Sequence, residues 1–76
     1  MRYSELELQI INYFEQEYNR LINLLKEPPT WLSKSEAIQN CLQRCLGVAE
    51  FANAIGVEFS LVEALMDAQR ERCYEL

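Results

Sequence analysis

A four-residue pattern, Ser-x-x-Glu, occurs three times in this chain, at Ser4 to Glu7, Ser33 to Glu36 and Ser60 to Glu63. It marks a helix start, because the serine hydroxyl accepts from a backbone N–H one turn on and the glutamate reaches back to the serine N–H. An apolar residue precedes each serine (Tyr3, Leu32, Phe59), and a helix-period apolar pattern follows. Tyr3 and Leu8 hold the two positions of a hydrophobic staple, which accounts for Leu8 lying off the apolar stripe of its own helix.

The stops are as legible as the starts. Pro28 and Pro29 end the first helix, and Gly56 suits the left-handed cap of the second. Helices are predicted over about 5–26, 34–55 and 61–74. Only "LELQI" alternates in the manner of a strand, and the helical pattern around it overrides that. The expected fold is an all-α three-helix bundle, a single domain over residues 1–76.

At 100° per residue the first helix has two apolar ridges. Ile11, Phe14, Tyr18, Leu21 and Leu25 supply an intramolecular core stripe, with Leu6, Ile10, Tyr13, Glu17 and Leu24 beside it. The second helix has a wider apolar arc, including Ala37, Ile38, Cys41, Leu42, Cys45, Leu46, Val48, Ala49, Phe51, Ala52 and Ile55. That makes it the expected central helix. Arg44 lies at the edge of its arc, with a stem placed to run over the core or to reach a partner's carboxylate.

The two ridges exceed what one neighbour covers, and a chain of 76 residues is near the size at which one core is barely sufficient. A homodimer is therefore expected through Leu6, Ile10, Tyr13, Glu17, Arg20 and Leu24. In an antiparallel pair Leu6 meets Leu24, Tyr13 comes opposite Glu17 and bonds it, and Arg20 lies along Ile10. That polar pair fixes the register. Trp31, in "PPTWLS", is read as a plug for one end of the bundle, with a binding hot spot as the alternative.

Cys41 and Cys45 share the middle of the second helix's apolar arc. A zinc site needs about four converging ligands, and the chain has no histidine and only three cysteines. A redox pair wants a helix N-terminus or a cation. The thiols are read as small core side chains. "CYEL" from Cys73 lacks the aliphatic residues of a prenylation box. The missing histidine also removes the commonest general base, no glycine-rich phosphate loop exists, and Glu5, Glu7, Glu15 and Glu17 are assigned to caps and solvated faces. No catalytic residue, cofactor site or metal site is expected.

Twelve acidic against seven basic residues give a net charge of -5, which repels nucleic acid and anionic membranes. No apolar run is long enough for a membrane span, and "MRYSELELQ" lacks the apolar core of a secretory signal, so the expected location is the cytoplasm.

The segment "AEFANAIGVEFSLVEAL" resembles the helix-turn-helix of bacterial and phage repressors. Ala52, Gly56, Val57, Val62 and Leu65 fall on its packing positions, with Phe51 and Ile55 in the supporting apolar ones. The resemblance implies a sharp helix-to-helix turn and DNA binding by the third helix, yet Glu58, Glu63 and Asp67 would face phosphates there. "LQRCLGVAEFANAIGVEF" also resembles short, uncharacterised all-α proteins of Gram-positive bacteria, phages and mobile elements. The expected function is a non-enzymatic, self-associating protein-interaction or regulatory module with an as yet unidentified protein partner. A helix-turn-helix transcription regulator is the alternative.

Overall fold

The computed structural model describes residues 4–76. It is an all-α three-helix bundle of α1 (Glu5–Lys26), α2 (Lys34–Ala54) and α3 (Phe59–Tyr74). The expected staple partner Tyr3 lies outside the described residues, and Leu8 is 47% exposed.

The caps explain two of the three starts. Ser4 forms the complete reciprocal box, accepting from the Glu7 N–H at 3.2 Å while the Ser4 N–H donates to the Glu7 carboxylate at 3.0 Å. Ser33 accepts from the Glu36 N–H at 3.1 Å, but its hydroxyl donates to the Glu36 carboxylate, so the return bond goes to the side chain instead of the backbone. Ser60 is not a cap. α3 starts earlier, at Phe59, with Glu58 as N-cap and no side-chain bond. The reason lies in the preceding turn. The Val57 N–H donates to the Ala52 carbonyl at 2.9 Å and the Gly56 N–H to the Asn53 carbonyl at 3.2 Å, the paired bonds of a Schellman ending. With Val57 buried, the chain is ready to enter α3 at once, and Ser60 falls inside the first turn.

α2 is the central helix, packed against both others, while α1 and α3 meet least. Its Ala37, Cys41, Cys45, Ala49 and Ala52 are buried, and their small side chains let both neighbours approach. The buried residues of α1 are Ile10, Phe14, Glu17 and Leu21, so its core face lies between the two ridges rather than on one of them. The Trp31 plug is not formed. Trp31 is 77% exposed, and Leu32 packs against the core in its place.

Two polar ties hold α3 to α1. Gln69, 2% exposed, donates from Nε2 to the Phe14 carbonyl at 2.9 Å. Arg72 bonds both oxygens of Glu15, at 2.8 and 3.5 Å, and its guanidinium carbon lies 3.6 Å from the Tyr18 ring centre. The hydrogen bond from Arg72 also holds the Glu15 carboxyl below its ordinary pKa.

Candidate interaction surfaces

The residues expected at a dimer interface are divided by the fold. Ile10 and Glu17 are buried within the chain, Leu6, Tyr13 and Leu24 are half-buried, and Arg20 is exposed. The reason for seeking a second copy at Glu17 is removed, because its carboxylate accepts from Arg44 Nε at 2.5 Å and from Arg20 at 3.5 Å. Arg44 was expected to snorkel or to meet another chain. It crosses instead from α2 to α1, and Glu17 is 5% exposed rather than solvated. Burial, then the Glu17 charge, raises the pKa of the nearby Tyr13 phenol.

Cys41, Cys45 and Cys73 are all free and fully buried. Cys41 donates to the Glu17 carbonyl at 3.5 Å, and the Gln69 amide points at Cys45 Sγ at 3.7 Å. The hydrogen bond shared by Cys41 and Cys45, and then burial, pushes the Cys45 thiol far up, leaving Cys41 as the member of the pair that ionises first. Burial pushes Cys73 up to about 11. Thiols in this setting fill space between helices.

Where α2 turns into α3, Ala52, Val57 and Val62 are buried and Gly56 has φ 117°, as the helix-turn-helix resemblance implies for packing. Phe51 and Ile55 depart from it. Expected as supporting core positions, they are 65% and 50% exposed. The outer face of α3 presents Glu58, Ser60, Glu63 and Asp67 to solvent, and Arg70 is bonded to Asp67 at 3.0 Å. Carboxylates so placed repel a phosphate backbone. We expect no sequence-specific duplex binding at physiological salt, and a selection from random duplexes is the check. One enriched sequence bound with submicromolar affinity would favour the regulator reading.

Two surface grooves flank α2. One, between α1 and α2, is lined by Leu6, Gln9, Ile10, Tyr13, Val48, Phe51, Ala52 and Ile55, and carries no formal charge among the described residues. The other, between α2 and α3, is about 260 Å³ and is lined by Leu46, Ala49, Glu50, Asn53, Phe59, Val62, Glu63, Met66, Asp67 and Arg70. It continues past Leu46, Met66 and Arg70 to Gln39, Gln43 and Tyr74. Among the described residues no group of three or more His, Cys, Asp or Glu side chains is arranged to hold a metal ion. No helix among the described residues is long and apolar enough to cross a membrane.

Comparison with protein families, with curated proteins and with solved structures finds no match.

Proposed function

We propose that the chain is a non-enzymatic protein-interaction module that self-associates through the uncharged groove between α1 and α2. The observation that carries this is the exposure of Phe51 and Ile55, 65% and 50%, in a groove whose described lining residues have no formal charge on a chain of net charge -5. A second copy can dock there without setting like charges against each other. Elsewhere two acidic chains repel. A two-fold pairing lets Phe51 of one copy meet the Leu6 and Tyr13 wall of the other, and buries aromatic surface that a monomer leaves in water. Of the interface residues expected from the sequence, Leu6, Ile10 and Tyr13 line this groove and Glu17, Arg20 and Leu24 do not, while Phe51 and Ile55 join it. Three buried free thiols suit a reducing compartment, which supports work in the cytoplasm.

The test is light scattering over a wide range of concentration. A mass that rises toward two chains is expected, and Phe51→Lys should return it to one chain without unfolding, because Phe51 contributes little to the core. A single-chain mass throughout overturns self-association. A dimer indifferent to Phe51→Lys and Ile55→Lys overturns the groove as its seat.

A further inference from the structure

The groove between α2 and α3 differs from the dimer groove in one respect that selects an occupant. Its walls are apolar between Phe59 and Leu46, 63% and 36% exposed, and turn polar toward Tyr74, where Gln39, Asn40 and Gln43 line it, but its rim has Glu50, Glu63 and Asp67. The only cation of that lining among the described residues, Arg70, is 3.0 Å from Asp67 and so neutralises one of the three carboxylates. Glu50 and Glu63 have no cationic partner among the ion pairs of the described residues.

We infer that this groove binds a basic amphipathic helix of another protein, one with an apolar stripe flanked by lysine or arginine. The groove follows α3 from Phe59 to Tyr74, 16 residues, or about 24 Å at the helical rise. Two antiparallel helices with an apolar furrow between them present the ridges that a third helix packs into, and no residue of α1 lines that furrow among the described residues. A fourth helix here completes a bundle. Charge then decides among helices. A second copy of this chain brings a net charge of -5 to a rim that is already acidic, whereas a basic helix brings the opposite sign to Glu50 and Glu63.

The experiment uses the full chain and two designed peptides of about 18 residues that share one leucine stripe, flanked by lysine in one and by glutamate in the other. Amide chemical shifts of the labelled protein report where each binds. The lysine peptide is expected to move the resonances of Leu46, Ala49, Val62 and Met66, and to bind roughly tenfold more weakly when salt is raised from about 50 to about 500 mM. The exposed double variant Glu50→Lys with Glu63→Lys should weaken it by about tenfold or more and strengthen the glutamate peptide. Equal binding of both peptides in the groove overturns the charge selection. Binding of neither peptide overturns the inference. Because Phe51 lies outside this groove, light scattering of Phe51→Lys judges self-association independently, so the two readings fail separately.

Discussion

Replacing Arg44 by Met should destabilise the chain by about 2–3 kcal/mol, lowering its melting temperature by roughly 8–24 °C. The cause is the residue left behind. Glu17 has a side chain only 6% exposed, and Arg44 Nε at 2.5 Å is its near partner; Arg20 stands off at 3.5 Å with a side chain 68% exposed. A buried carboxylate without its partner keeps its desolvation cost and loses the offsetting attraction. Arg20 moderates the loss, which is why the figure sits below the upper range for a fully orphaned charge.

The reverse change is expected to be mild. With Glu17→Met, the Arg44 side chain, 42% exposed, can turn into water, and the methionine adds apolar packing between α1 and α2. A change within about 1 kcal/mol of wild type is expected. The double variant should recover most of the stability lost in Arg44→Met, giving a coupling energy above about 1 kcal/mol in a urea-unfolding cycle. An Arg44→Met protein as stable as wild type would show that Glu17 finds water in solution and that the pair does not tie α1 to α2.

Glu17 and Arg44 also show where sequence reading stops. Each is a charge set in or beside an apolar stripe, and both exceptions were visible. What was not visible is that the two stripes face each other, since period alone places residues on a helix without saying how neighbouring helices are rotated. The core face of α1 turned out to lie between its ridges, through Ile10, Phe14, Glu17 and Leu21, and that rotation brings Glu17 to Arg44. Gln69 is a similar case. It sits in register with Val62, Met66 and Cys73, all buried, but a polar side chain at such spacing carries no signal of burial by itself. The Phe14 carbonyl that satisfies it belongs to another helix.

The helices themselves were legible because local chemistry decides them, as at Ser4, Ser33 and the two prolines. Ser60 misled because Ser-x-x-Glu within a first turn looks the same as Ser-x-x-Glu at a cap. Phe51 and Ile55 misled for a different reason: hydrophobic character says a side chain prefers burial, and a chain with few helices has too little partner surface to cover an arc as wide as that of α2.

At the two glycines substitution should act in opposite directions. Both have open space where a Cβ would go, with no atom within 4 Å, so crowding distinguishes neither. Backbone does. Gly56 has φ 117°, a conformation costly to any residue with a Cβ, and it is held there by the bonds from Val57 to Ala52 and from Gly56 to Asn53, with the Asn53 side chain donating to the Val57 carbonyl at 3.1 Å. Gly56→Val therefore costs about 2 kcal/mol, roughly 8–16 °C in melting temperature, while Gly56→Asn costs less because asparagine tolerates left-handed backbone better. Gly47 lies exposed inside α2, where glycine's freedom in the unfolded chain is a liability, so Gly47→Ala should stabilise by about 1 kcal/mol. Thermal unfolding of the three variants is the check. If Gly56→Val melts with the wild type, the turn in solution is not the left-handed one that swings α3 back along α2, and the groove between those helices loses its geometric basis.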